Sequence, residues 1–520
     1  MKIMRSLLLV VGAIAVAACG GGGSIQQAGN DPAPTTVVAT TQPPAPDTSS
    51  SNGSSTDATA VPDDPVASTD TPAPTTTPPP DTLPPCPVDA LDDNPDGGPV
   101  EVLFWHGWTG ETDTAIEALT EAYNASQSRV RVKLEPQGSY DETFDKYIQS
   151  GQSGRPDLVG FPEYYVQQMI DSDSAIPIGA CVEADGFDIS PLRESVLATY
   201  NVAGVQWAMP FNLSNPVLYY NRSMFTAAGL DPDRPPLSLD DLREYAQAIV
   251  DSGTAPYGIA LDSGYSAFGG WVIEQWLANA GELYADNENG HSAPATRVLY
   301  DSAVGVELLT FAQELVQDGL AFYVGGNASG QDNYLKLADR SEPAAMTVGS
   351  SATLATVKVA VDGGLIPGIT SDDIGIGPLP SPTGSPTSLV GGASLYIMAD
   401  HGDAAAAAAW DYVKFLVSAQ AQSDWSAATG YVPIREDAVA LEPLASTYVD
   451  DPRFKVAYDQ FVGTPDEPAF RNAILGPQRE VRVETARAVA IVLEGGDVQT
   501  ALSEAAARSN ALIAEYNARN

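Results

Sequence analysis

The chain has 520 residues, and 67 Asp and Glu stand against 25 Lys and Arg, for a net charge of -42. A surplus of that size repels nucleic-acid phosphates and anionic lipid headgroups, so charge-driven binding to either is excluded. The body from Pro99 to Asn520 is too long for one small core and suits two lobes.

Lys2 and Arg5 precede an apolar run, Leu7 to Ala15, that is too short to span a bilayer and reads as the core of a signal peptide. Val16-Ala17-Ala18-Cys19 follows, and small residues before a cysteine at that place resemble the bacterial lipobox. Cys19 is then lipidated and becomes the first residue of the mature chain, which is anchored to the extracytoplasmic face of the cell membrane without crossing it. An ordinary signal peptide with an incidental cysteine is the alternative. From Gly20 to Gly97 the chain is dominated by Gly, Ser, Thr, Pro and Asp and has no aromatic residue. Such a segment buries too little apolar surface to offset its ordering entropy, so it reads as a tether. Cys86 and Cys181 remain as an even pair in an oxidising compartment, which points to a disulfide, with two free thiols as the alternative.

In the body, Glu101 to Trp105 reads as a buried strand and Thr112 to Asn124 as a helix with Ile116, Leu119 and Tyr123 on one face. Arg129 to Leu134 alternates, with Val130, Val132 and Leu134 inward, so a parallel βαβ unit is expected. Ser139 and Glu142 have capping-box spacing before Phe144, Tyr147 and Ile148, and Asp157 to Phe161 is the next strand. Leu218 to Asn221 lies at an expected hinge. Ser238 caps a helix carrying Leu239, Leu242, Tyr245 and Ile249, and Trp271 to Gly319 reads as largely helical. Ala344 to Val348, Ile374 to Leu379 and Ser394 to Met398 read as strands. Ala404 to Val417 and the chain from Val483 onward read as helical. The pattern is α/β.

Signatures of catalysis are lacking: there is no G-x-S-x-G, H-E-x-x-H, C-x-x-C or P-loop. His106, His291 and His401 are not spaced to share a metal. Asp92, Asn94, Asp96 and Gly97 match the start of a calcium loop, but Leu103 stands where a bidentate Glu is required, so a plain turn is expected. A secreted glycosidase remains an alternative, because carboxylates are plentiful and no pair stands out. A ligand-free adhesion or scaffold protein is the other. Trp105, Trp108, Trp207, Trp271, Trp276 and Tyr431 fall near expected strand ends or loops, where aromatic faces can stack on sugar C–H faces.

Several stretches, taken together and in order, resemble the extracellular solute-binding proteins of carbohydrate-type ABC importers, most of all the glycerol-3-phosphate-binding branch. They are Phe104-Trp105-His106-Gly107-Trp108, Gly138-Ser139-Tyr140, Pro210 to Asn221, Ala228 to Pro232, Ala345-Met346-Thr347 with Ser350-Ser351, Gly391 to Leu395, and Thr429 to Ile434. The resemblance implies a two-lobe, type II periplasmic-binding-protein-like fold with crossover strands as hinge and the ligand in the cleft. Residues 98–212 and 346–393 are assigned to the first lobe, 213–345 and 394–520 to the second. The implied ligand contacts are Tyr140, Glu163, Ser214, Trp271, Ser350, Ser351, Gly392 and Tyr431, with a C-terminal arginine, Arg482 or Arg479. The family's aromatic wall in the second lobe has no clean match, because Tyr265 to Trp271 is spaced differently. The implied ligand is glycerol 3-phosphate, a glycerophosphodiester or a related sugar or polyol. The implied partners are ABC permease subunits, and the protein is expected to be a monomer with no cofactor, no metal and no catalytic residue. Read for chemistry, Glu163 can accept from two vicinal hydroxyls, and N–H groups after Ser351 at a helix start suit a phosphate, with an arginine fork beside them.

Overall fold

Two separate sheets organise the body. The computed structural model describes residues 84–92, 98–151, 154–327 and 330–520. Cys19, the tether up to residue 83, and Asn94, Asp96 and Gly97 of the calcium-like turn lie outside the described residues. The described residues, from 84 onward, belong to one compact unit.

The first sheet begins as expected. β1 (Val100–His106) leads into a helix, Glu111–Ser126, and then into β2 (Val130–Pro136), which pairs with β1 in parallel. Val130 and Val132 are buried and Arg131 and Lys133 exposed, as the alternation requires. The helix buries Ile116, Leu119 and Tyr123 against this sheet. β3 (Leu158–Pro162) is buried at every position and lies on the other side of β1. β4 (Ala175–Ile176) and a small hairpin of β5 (Asn201–Val202) and β6 (Val205–Gln206) follow. β7 (Met209–Ser214) then runs almost directly into β8 (Pro216–Asn221), with Asn215 alone between them.

β8 belongs to the second sheet, with β9 (Tyr257–Leu261), β10 (Ala321–Tyr323), β11 (Ala344–Ser350) and β12 (Ile374–Pro378). Its order is β10-β9-β11-β8-β12, with β9 parallel to β10 and β11, and β8 antiparallel to β11 and β12. Helix Leu239–Asp251 starts on a true capping box, Ser238 with Asp241, and buries Leu242 and Ile249. The region read as largely helical holds only Phe268–Asn279 and Ala303–Gln317 as substantial helix, and mostly irregular chain connects them.

The lobe boundaries need correction. β11 (Ala344–Ser350) pairs within the second sheet, although most of it was assigned to the first lobe. β13 (Gly391–Met398) pairs antiparallel with β3, β4 and β7 of the first sheet, although most of it was assigned to the second. Helix Asp403–Leu416 follows β13 and packs Trp410, Tyr412 and Val413 into the same core as Phe104 and Leu158. The C-terminal helices Gln478–Leu493 and Val498–Asn517 join the core of the second sheet. β13 is apolar on both faces, so its pattern fits either sheet equally well. Only pairing decides.

Cys86 and Cys181 are joined in a disulfide, which fastens the segment before β1 to helix Ile178–Asp185. Among the described residues, no helix is long and apolar enough to cross a membrane, and no cluster of His, Cys, Asp and Glu could hold a metal ion.

Candidate functional site

The chain direction of the strands gathers the site. β1, β2 and β3 are parallel and end on one edge of the first sheet, where Trp108, Tyr140 and Glu163 follow them. β13 is antiparallel to β3, so Gly391 and Gly392 at its start lie on that same edge. In the second sheet β9, β10 and β11 also end together, delivering Asp262 to Trp271, Tyr323 to Asn327, and Ser350 with Ser351. The one-residue link from β7 to β8 joins the two edges. Open α/β sheets bind ligands at the carboxyl ends of their strands for this reason.

One cluster is built on hydroxyls and amides. Tyr140, at the first turn of helix Tyr140–Gln149, receives hydrogen bonds from Trp108 Nε1 at 2.9 Å and Asn212 Nδ2 at 3.1 Å. Its hydroxyl lies 3.4 Å from that of Tyr431, whose ring stacks on Trp425. Gly392, at φ +105, brings its backbone so close to Asn212 that a Cβ would stand 1.9 Å from the Asn212 carbonyl oxygen. Burial raises the pKa of the Tyr140 hydroxyl, and the nearby Glu163 charge adds to the effect.

Beside it lies a buried charge cluster. Arg482, on helix Gln478–Leu493, donates Nε to Glu274 Oε1 at 2.7 Å and Nη2 to Glu274 Oε2 at 2.6 Å. The same Nη2 reaches Glu163 Oε1 at 3.0 Å, and Gln478 Nε2 donates to Glu274 Oε1 at 2.9 Å. Glu163, Glu274 and Arg482 are all at most 5% exposed. Burial works against the Arg482 charge, but Glu274 and Glu163 more than offset it and hold the guanidinium above its ordinary value. Burial pushes the Glu163 carboxyl up, and Arg482 pulls it back only in part. Glu163 Oε2, Gln478 Oε1 and Trp271 Nε1 are buried and make no hydrogen bond. Each such orphan costs about 1–3 kcal/mol, so a polar group that reaches one of them gains a hydrogen bond at little further desolvation cost.

At the carboxyl edge of the second sheet is a cavity of about 460 Å³, lined among others by Pro216, Tyr265, Phe268, Trp271, Tyr334 and Ser350. That volume suits a small ligand. Trp271 forms one wall and also covers Gly391, where a Cβ would sit 2.5 Å from its ring. Gly391 is paired in register with Ser214, which is itself buried. Asp262 shapes the cavity loop by accepting from the Gly264 N–H at 2.8 Å, and Asn327 Nδ2 lies 3.4 Å from its other oxygen.

Tyr140, Glu163, Ser214, Trp271, Gly392, Tyr431 and Arg482 therefore converge on these adjoining edges. Three expectations change. Arg479 stands apart: its guanidinium pairs with Asp145 at 3.0 Å and Asp141 at 3.5 Å on helix Tyr140–Gln149. Of the N–H groups after Ser351, that of Ala352 is already used, donating to Ser350 Oγ at 3.2 Å, and Ser351 N itself donates to the Asn215 carbonyl. Ser351 Oγ accepts from the Asn215 N–H at 3.4 Å, so this start ties the crossover together. Of the aromatic candidates, Trp105 and Trp276 are core residues bonded to Glu135 and the Pro380 carbonyl. Glu274 and Asn212, which are not among the expected contacts, take part in these clusters. A lone acid inside the apolar run Trp271 to Leu277 was the available signal for Glu274.

The model of the family described as bacterial extracellular solute-binding protein matches residues 118–456. The sn-glycerol-3-phosphate-binding periplasmic protein UgpB of Escherichia coli K12 is 26% identical over 427 residues, covering 80% of this chain and 93% of that protein. The structure of UgpB from Mycobacterium tuberculosis in complex with glycerophosphocholine superposes with a TM-score of 0.66 at 22% identity, covering 81% of this chain and 99% of that one. The cyclic alpha-maltosyl-1,6-maltose binding protein of Arthrobacter globiformis superposes at 0.64 and 22% identity, covering 80% and 99%. These structures share the two-lobe type II binding-protein fold. The chain belongs to the family of bacterial extracellular solute-binding proteins, which serve ABC importers as binding components and are not enzymes.

Proposed function

We propose that this protein is the lipid-anchored binding component of an importer for glycerol 3-phosphate, a glycerophosphodiester or a related sugar or polyol. The observation that carries this reading is a pair of buried groups without partners, Trp271 Nε1, whose side chain walls the cavity at the second sheet's edge, and Glu163 Oε2, in the buried charge cluster at the first sheet's edge. An unpaired carboxylate oxygen takes a ligand hydroxyl, and an unpaired indole N–H takes a ligand oxygen. Tyr431 and Trp271 supply apolar faces for the C–H side of a polyol. The similarity to UgpB supports the glycerol-phosphate class, and the Arthrobacter neighbour supports a sugar. Closure of the lobes on the ligand presents the permease with a closed surface, a hinge mechanism. Cys19 carries the anchor in this reading.

Titration calorimetry of the mature protein with glycerol 3-phosphate, glycerophosphocholine, maltose and trehalose tests the ligand class. Heat with one of them, lost in Glu163→Ala, is expected; no heat from folded protein with any of the four refutes the assignment. Mass spectrometry of the N-terminal peptide tests lipidation, which Cys19→Ala abolishes.

A further inference from the structure

Asn212 has its orientation set by the backbone. The buried Ala393 N–H donates to Asn212 Oδ1 at 3.0 Å, so the amide oxygen faces β13 and Nδ2 faces Tyr140. Trp108 Nε1 is a donor and nothing else, and it points at the same oxygen from 2.9 Å. A phenolic oxygen has two lone pairs, and these two donors occupy both. Tyr140 is left with one thing to offer, its proton. The Tyr431 hydroxyl, 3.4 Å away, is at the far limit for an O–H···O bond and holds that proton weakly.

Trp108 is itself held firmly. It is 3% exposed, stacks on His106 at 5.1 Å, and meets Phe104, Phe211 and Trp425 edge-on or tilted. Its backbone N–H donates to His106 Nδ1. The indole therefore cannot swing away when a ligand arrives.

We propose that Trp108 and Asn212 are positioning residues that make Tyr140 an obligate hydrogen-bond donor, so that the cleft selects solutes presenting an acceptor oxygen there. Resting on the ligand-capture reading above, this narrows the solute to one with two unlike ends. Hydroxyl donors go to Glu163, and an ether, ester, carbonyl or phosphoryl oxygen goes to Tyr140. A solute placing an ammonium group at Tyr140 would meet a proton with a proton.

The test replaces Tyr140 by 3-fluorotyrosine in the mature protein, which leaves the fold intact and makes the hydroxyl a better donor and a poorer acceptor. Affinity is measured for whichever of glycerophosphocholine, glycerol 3-phosphate and maltose binds. The expected result is about threefold tighter binding with fluorotyrosine and about tenfold weaker binding in both Tyr140→Phe and Trp108→Phe. The fluorine effect shrinks in the Trp108→Phe background, because a freed lone pair lets Tyr140 accept. Weaker binding with fluorotyrosine overturns the proposal. A ligand-free readout stands beside it: the Trp108 indole proton resonance moves upfield in Tyr140→Phe, and an unmoved resonance overturns the proposal whatever the solute. If none of the three solutes binds, the ligand assignment fails while that resonance still decides the donor geometry.

Discussion

Glu274 grips Arg482 at two points, through Nε to Oε1 at 2.7 Å and Nη2 to Oε2 at 2.6 Å, with both side chains buried. This fork supplies the geometry that makes a buried guanidinium tolerable, because desolvation is repaid only by close, well-aligned partners. Glu274→Ala leaves Arg482 with Glu163 alone. Such a change costs about 3–5 kcal/mol of stability, measured by denaturant unfolding, and a loss below 1 kcal/mol would show that the fork is not what holds Arg482.

Glu163 behaves differently, because its charge is less well supported. Burial pushes its carboxyl up, and one of its oxygens has no partner. Glu163→Gln keeps the shape and removes the charge. Its melting temperature stays close to that of the parent, while affinity for the bound solute falls about tenfold or more in calorimetry.

Arg479 ties helix Gln478–Leu493 of the second core to helix Tyr140–Gln149 of the first sheet, through Asp145 and Asp141. Its side chain is 27% exposed and that of Asp145 is 43%, so salt screens the pair. Arg479→Ala leaves the ligand contacts in place and weakens closure by about 0.2–1 kcal/mol. Small-angle scattering without ligand should show a more open ensemble at low salt, and the difference from the parent should vanish at high salt. A difference that persists at high salt argues against an ion-pair latch.

Asp262 gives the pH signature. Burial raises its pKa from 3.8 to about 6, against the Gly264, Phe268 and Asn327 hydrogen bonds that lower it, and Asp332 adds to the rise. The folded state holds this proton more tightly than the unfolded state. Stability from this group is therefore present below about pH 4 and is lost as pH rises through about 6. Asp262→Asn does not titrate. Its stability relative to the parent should improve between pH 4 and pH 7 by at most about 3 kcal/mol, read from unfolding curves at both pH values, and a flat difference would show that Asp262 does not titrate there.

The disulfide spans a sequence separation of 95 residues. In the chain-entropy model a loop of that size stabilises by about 4–5 kcal/mol. Cys86→Ser with Cys181→Ser should lower the unfolding midpoint accordingly, and reductant should lower the parent's midpoint but not the variant's.

How far the site could be read before folding depended on how local each signal was. Ser139 caps the helix that carries Tyr140, as its spacing suggested, although only the Ser139 half of the capping box forms. The βαβ start appeared because its burial alternates or repeats within a few residues. Arg479 and Arg482 were indistinguishable in one dimension, being three apart on one helix with similar neighbours. The fold turns Arg482 into the core and leaves Arg479 at the rim.

The sequence by itself determined the α/β class and the lack of enzyme signatures, because these follow from local period and from motifs that are absent, and it supplied Cys86 and Cys181 as an even pair without deciding that they are joined. Only the tertiary structure decided that β13 completes the first sheet, since a strand buried on both faces carries no sign of its partner. It alone decided that Glu274 and Glu163 share Arg482, across separations of 208 and 319 residues. It also decided that the Ser351 N–H serves the crossover, through the Asn215 carbonyl. Hydrogen bonds and ion pairs are set by distance in space, and a chain reveals that distance only once its strands have chosen their neighbours.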